Sequence, residues 1–161
     1  MARGTYTIIA ANQTVVAAPT LISVRPGTTC SIEFLRFWCS QAANATSNQQ
    51  RINVNTKVSA FDTLVGVTPG KTSLLDGISA IVSGTAEAAG TSGINASAQG
   101  GGTETVMYED AFNVLNGWLW VPTPPETLTV NASSASAGHL KFQSTPVALT
   151  VWQWGCSFRE V

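Results

Sequence analysis

Residues 51–61 carry the cleanest alternation in the chain: Ile52, Val54, Thr56, Val58 and Ala60 point one way, and Asn53, Asn55, Lys57 and Ser59 the other. A period of two is that of a strand with one face on a core and one in water, so this segment is expected to have a buried face and a wet face. Residues 28–41 read as the first long strand, with Cys30, Ile32, Phe34 and Trp38 on one side and Leu35, Phe37 and Cys39 on the other. Apolar groups on both sides imply a central position or a subunit contact. The closing segment, 148–158, places Thr150, Trp152, Trp154, Cys156 and Phe158 on one face.

Between these runs the pattern is broken by turn residues. Residues 110–130, DAFNVLNGWLWVPTPPETLTV, read as strand, tight Asn116-Gly117 hairpin turn, strand, proline corner and strand. Asn-Gly supplies the positive φ angles of a two-residue hairpin. Pro122, Pro124 and Pro125 cannot donate ladder hydrogen bonds and are expected to hold the chain extended where it passes from one sheet to another. Short extended segments are expected at 5–10, 13–17, 21–25, 78–82 and 139–142, and a long connection with brief order at 62–77. The first two segments are strands or an N-terminal arm over residues 1–20, ahead of a single domain at 21–161. Residues 83–103, SGTAEAAGTSGINASAQGGGT, have almost no bulky side chains and are expected to be a mobile excursion or a loop ordered by a partner. No helix longer than a turn or two is predicted. About eight to ten short strands with Gly, Pro and Asn punctuation describe an all-β antiparallel sandwich or a barrel.

Composition sharpens this picture in one respect. Only 11% of the 161 residues are charged, and 20 Thr, 15 Ser, 9 Asn and 7 Gln stand in their place. A surface so poor in charge is weakly protected against association, which suits a chain packed against neighbours. A net charge of -1, with the basic residues scattered from Arg3 to Arg159, argues against nucleic acid as partner. No apolar run approaches the ~20 residues of a membrane span, and a cytoplasmically made protein is expected.

Candidate chemistry is sparse. The one histidine, His139, has Ser136 near it but no carboxylate at a telling distance, and reads as a turn or core residue. Cupin-type metal centres need several histidines, so no metal ligands, cofactor or catalytic residues are assigned. Glu109 and Asp110 are adjacent, hence on opposite faces of a strand and ill placed for paired acid/base work. Gly100-Gly101-Gly102 lacks the Lys-Ser/Thr of a phosphate loop and reads as a flexible linker. Cys30 and Cys39, about 30 Å apart if on one strand, cannot pair; Cys156 with either remains open, and buried free thiols fit the composition better. The same-face pairs Trp118/Trp120 and Trp152/Trp154 are the candidate ligand or interface aromatics. Stacking on sugar rings is one reading, and their apolar neighbours favour a core or interface role.

The runs FNVLNGWLWVPTPPE (112–126) and LTVWQWGCSFREV (149–161) resemble small jelly-roll proteins that decorate the heads of tailed bacteriophages, known as cement or decoration proteins. The likeness covers the second half of the chain well and the first half in strand rhythm only. It implies a homo-oligomer, dimer or trimer, that binds the major capsid protein across shell junctions, braces the head, and has no enzymatic site. It also implies a place on the virion after assembly in the host cytoplasm. The alternative is a carbohydrate-binding jelly roll, lectin-like or part of a phage tail, with Trp118/Trp120 or Trp152/Trp154 exposed.

Overall fold

The computed structural model describes residues 4–16, 19–43, 46–132, 135–146 and 148–161. Its strands are β1 (Gly4–Gln13), β2 (Thr20–Arg25), β3 (Ile32–Gln41), β4 (Gln49–Val58), β5 (Thr63–Gly66), β6 (Gly70–Lys71), β7 (Val82–Ser83), β8 (Thr91–Ala98), β9 (Thr103–Asn113), β10 (Trp118–Trp120), β11 (Thr129–Val130), β12 (Ser136–Phe142) and β13 (Trp152–Glu160). They form two sheets. The first runs β10-β3-β13-β1-β6 with β11 also on β3; the second runs β5-β8-β2-β12-β4-β9 with β7 on β8. All pairings are antiparallel except β7 with β8. The chain crosses repeatedly between the sheets, as in a jelly-roll wrapping.

The two inner faces interdigitate around large aromatic side chains. Trp152, Trp154, Tyr6, Phe34, Phe37, Phe142 and Phe158 are all fully buried. Phe142 from the second sheet meets Trp152 from the first edge-on, with ring centroids 4.9 Å apart, so the core is continuous from sheet to sheet. Trp152, Trp154, Cys156 and Phe158 share the inner face of β13, as their spacing predicts. All three cysteines are buried and outside any disulfide, and burial pushes the pKa of Cys39 and of Cys156 up.

Several expectations are corrected. In β3, Phe34 and Phe37 are both buried although their spacing puts them on opposite faces. The cause is a bulge: Ser157 faces Arg36 and Phe158 faces Phe34, so Leu35 is an extra residue that shifts the alternation by one. The strand therefore has one core face, with Ile32, Phe34, Phe37 and Cys39 on it, and Phe34 and Phe37 stack at 4.7 Å.

The Asn116-Gly117 turn is real, with Asn116 N–H donating to Asn113 O and Gly117 at φ +70, but it is no hairpin. The strands on either side go to different sheets, β9 onto β4 and β10 onto β3. The proline corner, a single 3-10 turn at Pro124–Glu126, joins β10 and β11, which both pair with β3. The sheet change occurs at Asn-Gly, and the prolines keep the chain on one edge.

Residues 83–103, read as an excursion, contain β8, which lies between β5 and β2. Its small residues mark close approach: a Cβ on Gly93 would lie 2.8 Å from Leu64 Cβ. The 5–10 segment belongs to β1, paired with β13 and β6 inside the first sheet. Of the expected 13–17 strand, Ala17 lies outside the described residues.

Candidate functional site

The alternation of β4 predicted a wet face, and this is the largest departure. Asn53, Asn55 and Lys57 are buried, Asn55 and Lys57 completely. The β4 register places His139 opposite Asn55 and Lys141 opposite Asn53, and on its other side Glu104 of β9 opposite Lys57. On the far side of β12, His139 faces Ser23 of β2. These polar side chains occupy the outer face of the second sheet.

Asp62, just beyond β4, and Glu87, between β7 and β8, close over that face. Lys57 Nζ donates to Asp62 Oδ1 at 2.5 Å and to Gly100 O at 2.7 Å. Gly100 N–H donates to the same Asp62 oxygen at 2.8 Å, and the Thr20 hydroxyl to Oδ2 at 2.6 Å. Asp62 N–H in turn donates to Glu87 Oε2 at 2.7 Å, and Arg25 Nη1 to the Glu87 carbonyl at 2.6 Å. The glycine run between β8 and β9, read as a linker, is therefore an ordered part of the cover. A Cβ on Gly100 would fall on the Ala60 carbonyl oxygen, and one on Gly102 on that of Ser59, so the two backbones meet only because these residues lack side chains.

Burial opposes ionisation of Asp62, yet the hydrogen bonds from Lys57, Thr20 and Gly100 and the proximity of His139 outweigh it and hold the carboxyl below its ordinary range. Glu104 follows the same logic: burial works against its charge, and Lys141, Gln99 and Lys57 more than offset it. Lys141 Nζ lies 2.7 Å from Glu104 Oε2. Paired in this way, buried charges are tolerated rather than expelled.

His139 sits at the centre, fully buried, with Nε2 2.6 Å from Glu87 Oε1. His139, read from the sequence as a turn or core residue, is buried within a strand, and Asp62 and Glu87, remote in the chain, lie beside it in space. One ligand atom from each of Asp62, Glu87 and His139 lies within 4.8 Å of the others. Ser23 is the cross-strand neighbour of His139, but its buried hydroxyl makes no hydrogen bond, so the arrangement does not present an activated nucleophile. Three surface depressions lie elsewhere, around β10 and the proline corner. What the cluster can do chemically is hold charge and tie the segments around Asp62, Glu87 and Gly100 to the sheet.

The four candidate tryptophans fall in different places. Trp152 and Trp154 have no exposed surface and belong to the core, which removes them as sugar platforms. Trp118 is buried and donates its Nε1–H to Asp110 Oδ2 at 3.1 Å. Trp120 is half-buried and packs on Phe37 and Tyr108, with centroids 5.8 Å away in both cases. It lines a groove of about 470 Å³ with Met107, Tyr108, Leu119, Val121 and Leu128, between the edge strands β9 and β10.

Trp38, which strand spacing places on the same face as Ile32 and Phe34, is turned outward by the β3 bulge. Leu119 faces Trp38, Trp38 faces Gly155, and Gly155 faces Ile9. This row crosses four strands on the outer face of the first sheet, with Leu119 63% and Ile9 65% exposed. A Cβ on Gly155 would fall on the Trp38 ring, so glycine lets the indole lie flat across β13. The Arg36 guanidinium stands 5.1 Å from the same ring. No helix among the described residues is long and apolar enough to cross a membrane. No protein-family model and no curated protein sequence matches the chain.

Proposed function

We propose that the chain is a structural, non-catalytic subunit that docks through the outer face of its first sheet onto a protein shell, as a decoration protein on the major capsid protein of a phage head. The observation that carries this reading is the apolar row Ile9–Gly155–Trp38–Leu119. Scattered exposed apolar residues need no explanation, but a contiguous row continuing over the sheet edge into an apolar groove marks a surface meant to be covered. Leu119 belongs to both the row and the groove, so the two are one surface. The low charge of the chain and the length of the edge strand β9, mostly exposed over eleven residues, favour contacts with further copies or with shell subunits.

The test is to mix purified protein with intact heads that lack it and follow co-sedimentation and head melting. Binding that raises the melting temperature, and that Ile9→Thr together with Leu119→Thr abolishes while leaving monomer stability within about 0.5 kcal/mol, is the expected result. Absence of binding to heads or to capsid protein overturns the reading. Binding to glycans through Tyr108 and Trp120 instead would favour the carbohydrate alternative.

A further inference from the structure

The charged cluster on the second sheet contains polar atoms that its hydrogen bonds do not satisfy. Five buried side-chain atoms without a hydrogen-bond partner lie together there: Ser23 Oγ, Asn55 Oδ1, Glu87 Oε1 and both ring nitrogens of His139. Buried polar atoms are rarely left unpaired, and a concentration of them on three adjacent strands and one covering segment requires a reason. Glu87 Oε1 and His139 Nε2 approach to 2.6 Å, yet their geometry is not that of a hydrogen bond.

We propose that Asp62, Glu87 and His139 bind one divalent transition-metal ion of the zinc class, with Asn55 Oδ1 as the neighbouring amide oxygen. Metal–ligand bonds of about 2.0–2.2 Å at tetrahedral angles put ligand atoms roughly 3.4 Å from one another. The three ligand atoms lie within 4.8 Å of one another, and Glu87 Oε1 is 2.6 Å from His139 Nε2, so a small shift of the Glu87 carboxylate brings the set to that spacing. An imidazole with two carboxylates suits zinc or manganese better than calcium, which takes oxygen ligands alone.

Lys57 is the competitor, since its ammonium already lies on Asp62 Oδ1. It leaves Oδ2, which the Thr20 hydroxyl orients, as the oxygen that turns to the ion. The Asn55 amide nitrogen donates to Glu104 Oε2 at 3.1 Å, and this fixes its carbonyl oxygen as the free end. The ion's role is structural: it clamps the segments bearing Asp62 and Glu87 onto β12.

His139 is the only histidine in the chain, so one imidazole reports on the site without ambiguity. Untagged protein is unfolded with chelator, then refolded either with chelator or with one equivalent of Zn²⁺, because the buried site loads most readily before the cover closes. The expected result is one zinc per chain after gel filtration, a displaced ring ¹⁵N resonance of His139, and a melting temperature higher by roughly 5–10 °C at a zinc concentration about 100 times Kd. Glu87→Gln, which keeps shape and hydrogen-bonding capacity, should weaken retention by about 10-fold or more. If refolded wild-type protein holds no stoichiometric zinc, or holds zinc with the His139 ring resonances unmoved, the site does not exist. Tighter retention of Ca²⁺ than Zn²⁺ would refute the ligand class.

Discussion

Replacing Lys57 by Met tests the reading of the second sheet's outer face most directly. The methionine keeps the apolar length of the stem and removes only the ammonium. In the wild type that ammonium, fully buried, contacts Asp62 Oδ1 at 2.5 Å, Gly100 O at 2.7 Å and Glu104 Oε1 at 3.4 Å. Its loss strands the Asp62 carboxylate and a carbonyl in a place that water does not reach. Breaking one side of a buried pair costs about 3–5 kcal/mol, a large part of the roughly 5–15 kcal/mol that holds a typical domain together. For a chain of this size that corresponds to roughly 6–20 °C in Tm, or about 1.5–2.5 M in urea midpoint at an m value near 2 kcal/mol/M.

The structure also predicts an asymmetry. Asp62→Asn alone should cost less, because Glu104 remains as a partner for Lys57 and the amide oxygen at the Oδ1 position can still accept from Lys57 and Gly100 N–H. The amide NH2 at the Oδ2 position can donate to the Thr20 hydroxyl once that hydroxyl rotates. The double variant should cost less than the sum, with a coupling of about 1–3 kcal/mol. Urea unfolding followed by fluorescence suits the measurement, since Trp152 and Trp154 change from no exposure to full exposure. If Lys57→Met costs less than about 1 kcal/mol, or less than Asp62→Asn, the cover is open to water and the network is a surface one.

Two further predictions rest on the same region. Gly100→Ala should destabilise by about 1–3 kcal/mol because its Cβ collides with the Ala60 carbonyl. The adjacent Gly101→Ala, which has nothing within 4 Å, should stay within about 0.5 kcal/mol in the same denaturation assay. The Glu104 carboxyl is held below its ordinary value in the folded state, burial being outweighed chiefly by Lys141. Its stabilising contribution is therefore complete above the unfolded carboxyl range and lost as pH falls through and below about 4.5. Lys141→Met should flatten that acid limb of the stability curve, measured as Tm against pH, and an unchanged limb would refute the pairing.

The parts of the fold legible in the sequence are those in which one local rule operates without interference. β13 alternates cleanly from Trp152 to Phe158 because it pairs on both sides over most of its length and its inner face meets only the apolar core. β3 could not be read so simply. The extra residue at Leu35 is specified by the partner strand, and without it Trp38 falls on the core face and Phe37 on the other. β8 was invisible for a related reason. Its one glycine, serines and alanines resemble a linker, and the nearness of Leu64 and the Gly84 backbone explains why nothing larger fits at Gly93. The Asn-Gly turn was located correctly, but a turn signal does not say whether the following strand pairs with the preceding one or leaves for the other sheet.

The polar cluster shows a further limit of periodicity. Asn53, Asn55 and Lys57 look like a wet face because polar residues usually are solvated, and alternation carries no information about what later segments lay over them. Here the cover comes from the segments around Asp62, Glu87 and Gly100, and each brings a hydrogen-bonding group to meet a charge on the sheet. The two outer faces of the sandwich thus reverse the usual expectation. The apolar row Ile9–Trp38–Leu119 lies on the outer face of the first sheet, with Ile9 and Leu119 exposed, while Lys57, Asp62, Glu87 and His139 are buried on the second. Substitutions at Lys57 or Gly100 should therefore act through stability, and substitutions at Ile9 or Leu119 through binding, with little exchange between the two effects.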